Sequence, residues 1–576
     1  MKCLFSAFIG MVCFVSGASG QQTKLSRDLA NLPANSSLEV IVQYKHAPAA
    51  GDHRRMETRG GRLLHQFDGS NAAVYLIPSR SLSSLETDDE IVYVTPNRPI
   101  HAMAPPVVIG YDYMPETIGM SDLGIVSGWN VGVALIDSGI TPNSDLADLF
   151  GVSRVVYNES FVPGTSDATD YYGHGTHVAG TIAGNAANSS GIRFFHHISG
   201  VAQLANLINL RVLDQNGMGT DAQVISAINR AIALKNTYNI RVINLSLGRP
   251  VFESYAKDPI CQAVEAAWKA GIVVVVAAGN EGRNNSAGTN GYGTIMSPGN
   301  DPLAITVGAM KTEETATPTD DLIASYSSKG PTLFDHIVKP DLVAPGNRIY
   351  SVIDPKGTLA VTYPANVVGY SNYEYAPYNT TPSNYFILSG TSMAAGVVSG
   401  ASAALIAWNP GLTPDTVKAR LMISASKAFP SSSSVAVTDP VTGIVTTYVS
   451  QYDLFTVGAG YLNVPAALQN NDVPQLSTAS PTAVRDLASG NIYVVDTLSA
   501  VWGSSAVWGS SAVWGSSAVW GSSVFVNGNS AVWGSSAVWG SSAVWGSSAV
   551  WGSSAVWGSS LTNSAETVGV TINGEK

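Results

Sequence analysis

Four short stretches carry residues whose chemistry could be combined. Asp137-Ser138-Gly139 follows the apolar run 131–136 (VGVALI), so a carboxylate emerges from the end of a buried strand, where backbone donors can keep it ionised. His174-Gly175-Thr176-His177-Val178-Ala179-Gly180 places a histidine at the start of a helix rich in small residues. Ser389-Gly390-Thr391-Ser392-Met393-Ala394-Ala395-Gly396 runs into an apolar helix reaching about Trp408. Each stretch has a plain reading when taken alone: a turn-capping Asp, a helix histidine, a helix-capping serine. Taken jointly, an acid, a base and a nucleophile arrive in the order Asp, His, Ser. A serine hydroxyl is a poor nucleophile until an imidazole takes its proton, and the imidazole needs a carboxylate to fix its tautomer and stabilise its cation. The fourth stretch, Ala277-Ala278-Gly279-Asn280-Glu281-Gly282, ends the apolar run 272–278. Acyl transfer develops an oxyanion, and the Asn280 amide can donate to it, a contact worth about 3 kcal/mol. Without the other three stretches, Asn280 would be read as a turn former. His174 and His177 could also be taken as a metal pair, but zinc recruits further His, Cys or acidic ligands and no HExxH pattern is present.

The elements that must position these residues alternate. Apolar strands are expected at 131–136, 205–213, 241–247, 272–278 and 303–309, with helices at 174–184, 222–235 and 258–270. That alternation predicts a parallel sheet covered on both faces, with its chemistry at the carboxyl ends of the strands. Before it, 38–47 and 73–77 read as strands, 79–87 as a helix and 91–95 as a strand, together a small α+β unit that ends near the Pro-rich joint Pro105-Pro106.

The chain has 576 residues and a net charge of -11, with 12% charged residues. The length calls for more than one folded unit, and the acidic balance excludes the basic face that a nucleic-acid binder needs. Lys2, the apolar stretch Cys3 to Val15 and the small residues 16–20 read as a secretory signal over 1–20. A lipoprotein would need small residues immediately before an acceptor cysteine, whereas Cys13 follows Gly10-Met11-Val12. Removal of the signal leaves Cys261 alone, so no intramolecular disulfide is expected and Cys261 reads as a small buried hydrophobe.

From Ala500 to Ser560 the hexapeptide Ala-Val-Trp-Gly-Ser-Ser occurs nine times, and nothing from Thr497 to Ala565 is charged. A helix would scatter its tryptophans at about 600° per repeat, so a helix is not expected. Two readings stay open: an extended or solenoid β array, and a low-complexity tail without fixed structure.

The chain resembles the subtilisin-like (subtilase) serine proteases. The matching motifs are DSG at 137, HGTHVAG at 174, NLSLG at 244, AAGNEG at 277, YSSKGP at 326, KPDLVAPG at 339 and GTSMA at 390, spanning roughly residues 105–470. HGTH separates it from the sedolisins, which use a Glu in that role. The resemblance implies an α/β, doubly wound, mostly parallel sheet with helices on both faces. It implies that Asp137 orients His174, that His174 is general base and acid, that Ser392 attacks the carbonyl, and that Asn280 with the Ser392 N–H holds the oxyanion. His177 would be structural. Protein or peptide substrate would add as a strand between Ser246-Leu247-Gly248 and Met218-Gly219. Leu247 and Ala277-Ala278-Gly279 would line the pocket for the residue before the cut, and the absence of an acidic cluster there favours a broad or apolar preference. No cofactor is required for the chemistry. Calcium often stabilises the family, and Asp145 matches one frequent ligand position.

By the same resemblance, 21–103 is an inhibitory prosegment that assists folding, occupies the cleft and is cut off between His101 and Pro105. The catalytic domain is then 104–472 and a C-terminal region follows at 473–576. Two features depart from the family pattern. Gly396 stands where a Pro is usual, and the stretch Gly346 to Gly390 is long and holds seven tyrosines, an insertion expected near the active site. The expectation is a secreted serine endopeptidase made as a self-processing zymogen. The alternative is a cell-surface or matrix interaction protein whose repeat tail attaches or self-associates and whose protease domain is vestigial.

Overall fold

The computed structural model describes residues 24–29, 36–102, 113–120, 128–286, 288–375, 383–438, 445–474, 477–485, 492–495, 513–514 and 575. The expected signal lies outside the described residues, and so does the repeat tail apart from Val513–Trp514, which pairs with 492–495.

The N-terminal unit contains β1 (Ser37–Tyr44), α1 (Ala50–Thr58), β2 (Arg62–Gln66), β3 (Ala72–Pro78), α2 (Ser83–Glu86) and β4 (Ile91–Pro96), as one antiparallel sheet in the order β2-β3-β1-β4. The middle of β1, Val40-Ile41-Val42, is apolar at consecutive positions because both of its faces are covered there. Val40 and Val42 join the unit's own core, whereas Ile41 packs with Phe67 and Val74 into the main core of the molecule. Neither α1 nor β2 shows an apolar pattern in the sequence. α1 (AGDHRRMET) buries only Asp52 and Met56, and β2 (RLLHQ) is an edge strand with no fully buried residue. The helix expected over 79–87 is split into a 3₁₀ turn at Ser79–Ser81 and the single-turn α2.

After β5 (Pro99–Ala102) and α3 (Met114–Thr117) come β6 (Gly132–Asp137), β7 (Val155–Ser160), α4 (His174–Ala183), β8 (Asn206–Arg211) and β9 (Met218–Thr220). α5 (Asp221–Tyr238), β10 (Ile240–Leu245), β11 (Leu247–Gly248), α6 (Pro259–Lys269) and β12 (Val273–Ala277) follow. Next are β13 (Ile305–Lys311), β14 (Leu322–Ile323), β15 (Leu342–Pro345), β16 (Ile349–Val352), α7 (Thr358–Thr362), β17 (Tyr385–Leu388) and α8 (Thr391–Trp408). The large sheet has the order β14-β13-β12-β10-β6-β8-β7, with β15 added on β13, and every pairing is parallel except β13 with β14. This is the doubly wound α/β sheet. All five expected strands are in it, while half-exposed β7 and two-residue β14 were too weakly patterned to expect. β6, β12 and β13 are buried at every position, as strands covered on both faces must be. Strand order reverses between β6 and β10, so a crevice opens at their carboxyl ends.

α8 is long and apolar enough to cross a membrane, but it is 89% buried within the fold. It packs on α4, β10, β12 and β13 as the central core helix. Its small residues permit this. A Cβ on Gly396 would lie 3.3 Å from Thr181 Cγ2 and 3.4 Å from Val178 Cγ1, so the residue that departs from the family pattern sits at the close contact between α8 and α4.

Candidate active site

Asp137 ends β6, and His174 opens α4. The His174 Nδ1–H donates to Asp137 Oδ1 at 2.7 Å, and the Ser138 N–H donates to the same oxygen at 2.7 Å. Both side chains are fully buried, yet among the described residues Asp137 Oδ2 and His174 Nε2 have no hydrogen-bond partner. Carboxylate contact at Nδ1 fixes the tautomer and leaves Nε2 as the acceptor. Gly175 lets the helix start this close to the strand end, since a Cβ there would lie 2.2 Å from the Gly139 carbonyl.

A further residue holds this turn, and motif reading passed over it. Asp170 is buried and accepts from Ser138 Oγ (2.8 Å), Gly173 N (2.7 Å), Thr176 N (2.7 Å), Thr176 Oγ1 (2.7 Å) and Tyr172 N (3.1 Å). It thereby ties the turn after Asp137 to the first turn of α4. The available signal was an acid four residues before a helix-opening histidine.

Ser392 lies in the first turn of α8 and is buried. Its hydroxyl donates to the Ser246 carbonyl at 3.1 Å rather than to His174. The helix start is anchored to β10 through a relay: Ser246 Oγ donates to the Ser392 carbonyl (2.8 Å), Asn244 Nδ2 donates to Ser246 Oγ (2.9 Å), and Ser399 Oγ donates to Asn244 Oδ1 (2.8 Å). NLSLG is therefore a positioning motif. Asn280 Oδ1 accepts from both Thr391 N and Thr391 Oγ1 at 3.0 Å, so the amide orientation is set, with its N–H₂ as the donor end. The Ser392 N–H belongs to the helix-start donors that no intrahelical carbonyl reaches.

The expected substrate strands are occupied by the chain itself. β5 is the centre of a three-stranded antiparallel sheet, pairing Leu247 with Ala102 and Gly248 with His101 on one side, and Met218 with His101 and Gly219 with Ile100 on the other. Just before β5, Arg98 forms a bidentate pair with Glu253 (2.6 and 2.7 Å) and donates from Nε to Asp28 (3.0 Å). Behind it, Arg249 pairs with Asp221 (2.9 Å) and Asp258 (2.9 Å). The N-terminal unit also caps α5, with Asn97 Oδ1 accepting from Ala222 N and the Arg98 carbonyl from Asp221 N.

His177 is stitched into the fold. Its Nε2–H faces the carbonyls of Ile349 and Phe386, each at 3.1 Å, and burial, with the His174 charge, pushes it down to about 3. It stays neutral through the physiological range. The residues around Asp145 do not fit a cation. Asn188 N donates to Oδ1 (2.7 Å) and Tyr385 O–H to Oδ2 (2.6 Å), so donor hydrogens stand where a metal would. Burial pushes this carboxyl up to about 6. Among the described residues there is no group of three His, Cys, Asp or Glu placed to hold a metal. The Tyr-rich insertion supplies Tyr385 and packs Tyr373 against Phe194 of the 185–199 loop. Its α7 lies nearer the site, with the Leu359 N–H donating to the Tyr172 carbonyl. Cys261 is buried, as expected.

A buried acid–histidine pair at the carboxyl end of a parallel sheet, beside a helix-start serine, an amide donor and a strand-binding cleft, defines a serine hydrolase acting on extended peptide. The subtilase family profile matches residues 128–460. The chain is 37% identical over 408 residues to serine protease AprX of Bacillus subtilis, spanning 69% of this chain and 84% of that one. It is 33% identical over 441 residues to subtilisin E of the same species, spanning 76% and 92%. Its fold matches the crystal structure of fervidolysin from Fervidobacterium pennivorans, a keratinolytic enzyme related to subtilisin, with a TM-score of 0.56 at 21% identity, over 82% of this chain and 66% of that one. The chain belongs to the subtilase family and is a serine endopeptidase.

Proposed function

We propose that the protein is a secreted zymogen in which residues 21–103 block the cleft and are removed by the chain's own Ser392. The observation that carries this is β5, held between β9 and β11 where a substrate strand would lie. In the proposed reaction Ser392 Oγ turns from the Ser246 carbonyl, attacks the substrate carbonyl carbon and gives its proton to His174 Nε2. Asp137 stays ionised and steadies the imidazolium. The tetrahedral oxyanion takes hydrogen bonds from the Asn280 amide and the Ser392 N–H. Collapse breaks the C–N bond as His174 returns the proton to the leaving amine, and water, deprotonated by His174, then releases the acyl group from Ser392.

The register supports the bond. Ala102, paired with Leu247, is the last residue of β5, and Leu247 directly follows Ser246, whose carbonyl holds the Ser392 hydroxyl. Residues 103–105 lie outside the described residues, and the proposed cut is Met103–Ala104, within the interval expected from the sequence. Ser392→Ala is expected to abolish both peptide hydrolysis and prosegment release. Normal processing of that variant with no other protease present would refute the proposal, and N-terminal sequencing of the wild-type product should begin at Ala104. Export rests on Lys2 and the apolar stretch that follows it. Truncation of residues 2–15 is expected to keep the protein inside its host cell.

A further inference from the structure

Glu575, which follows the repeats in sequence, is buried against the segments after β12, β14 and β15. Its Oε1 accepts from Arg283 Nη2 at 2.6 Å, from the Ser325 N–H at 2.9 Å and from the Ser325 hydroxyl. Its main chain is held as well. The Glu575 N–H donates to Asn347 Oδ1 and its carbonyl accepts from Asn347 Nδ2, each at 2.8 Å. One amide side chain thus gives Glu575 the two bonds that a strand residue exchanges with an antiparallel partner. Asn347 therefore suits the main chain of any extended residue, while Arg283 and Ser325 select a carboxylate at the reach of a glutamate.

The surroundings are built for the anion. The Arg283 and Glu575 side chains are 8% and 1% exposed, and among the described residues Glu575 is the one carboxylate paired with Arg283. Arg283 is fixed from three directions: its Nε donates to Ser325 Oγ at 2.8 Å, and its guanidinium carbon lies 5.9 Å from the Tyr326 ring centre and 5.5 Å from that of Tyr448. Without Glu575 this buried guanidinium would lack its counter-charge, which is the costly way to break such a pair. The chain before the repeats is fastened too. The Val338 N–H donates to the Pro481 carbonyl at 2.8 Å, the Ala483 N–H to the His336 carbonyl at 2.9 Å, and Ser480 Oγ to Asp341, which also pairs with Lys339 and Lys418.

We propose that Arg283, Ser325 and Asn347 form a glutamate-binding site whose ligand is the chain's own Glu575, so that the repeats at 500–560 run between two points of attachment on the protease domain. The ligand class is a glutamyl residue within extended peptide. Asp would fall a methylene short of Arg283, and Gln would lack the charge.

The test uses the full chain with Ser392→Ala, which prevents self-digestion, and with C3S and C13S, so that buried Cys261 and an introduced K576C are its only thiols. The new thiol carries a maleimide fluorophore, and time-resolved anisotropy separates rotation of the whole protein from local nanosecond motion. In the parent the fast part is expected to be the minor one, and it should grow at least about threefold in E575A, E575Q and R283A. The two Glu575 variants alter only the ligand, so they report even if R283A does not fold. The peptide TINGEK, residues 571–576, added at millimolar concentration should release the parent's label. The same peptide with Asp or Gln in place of Glu should compete about tenfold less well. A dominant fast part in the parent, an unchanged decay in E575A, or equal competition by the three peptides would overturn the proposal. So would a slow part lost on about hundredfold dilution, which would put the Glu575 of a second copy in the site.

Discussion

Two buried polar constellations lie at the two ends of β5, and they are built on opposite rules. At its start, Arg98, Arg249, Asp28, Asp221, Asp258 and Glu253 are paired in matched fashion, with Ser26 Oγ adding bonds to Asp28 and Glu253. None of these side chains leaves a buried atom without a partner. Near its far end, the Asp137–His174 pair is just as buried but keeps one carboxylate oxygen and one ring nitrogen without a partner among the described residues. An unmet buried acceptor costs stability, so a fold that retains two of them side by side is keeping chemical capacity. Saturation buys affinity and geometry; incompleteness leaves His174 Nε2 able to take a proton.

The most severe way to break that contrast is to alter the incomplete pair without changing its shape. Asp137→Asn keeps the volume but offers the wrong tautomer to His174, and kcat of the variant, its prosegment cut in trans by an added protease, should fall about 10⁴-fold with KM little changed. Steady-state kinetics on purified enzyme quantified by absorbance checks this, and a fall below tenfold would mean that the pair is not the catalytic one. Next in size is the saturated cluster. Arg98→Ala leaves Glu253 buried without its bidentate partner, a class of loss worth about 3–5 kcal/mol. On the proposed processing, residues 21–103 should therefore leave sooner once cut, and the lag before full activity appears in progress curves should shorten about a hundredfold. An unchanged lag would assign the prosegment's hold to β5 and the Ile41–Phe67–Val74 contact instead.

This contrast was only half legible in the sequence. Asp137, His174, Asn280 and Ser392 announce themselves because each ends a strand or starts a helix within a short, distinctive word. The central strands were equally plain, since burial on both faces writes continuous apolar runs. Arg98 and Glu253 carried no such mark. They are 155 residues apart in sequence, each is an ordinary charged residue locally, and only the docking of the N-terminal unit makes them partners. Asp170 was missed for a related reason, as its five donors come from three different turns. The bond from the Tyr385 hydroxyl to Asp145 spans 240 residues, and no local pattern around Asp145 points to it.

Asp145 also sharpens the contrast, because it is a third kind of buried carboxylate: both oxygens are bonded, but only by neutral donors. Its nearest cation, Arg154, spends its own donors on the carbonyls of Asp145, Ala147, Ala183 and Ala205. Hydrogen bonds alone do not repay desolvation, so the folded pKa is raised to about 6, above its ordinary value of 3.8. Between those values the folded state holds more protons than the unfolded chain, and stability from this group falls as pH rises from about 4 to about 6. In the Ser392→Ala background, which prevents self-digestion, the unfolding free energy of the parent minus that of its Asp145→Asn derivative should fall by about 2–3 kcal/mol across that window and be flat above it. Urea titrations at pH 4, 5, 6 and 7 measure this difference directly. A difference that grew with pH would mean that Asp145 is favoured in its ionised form, as Asp28 beside Arg98 is, and would return a cation to the list of its partners.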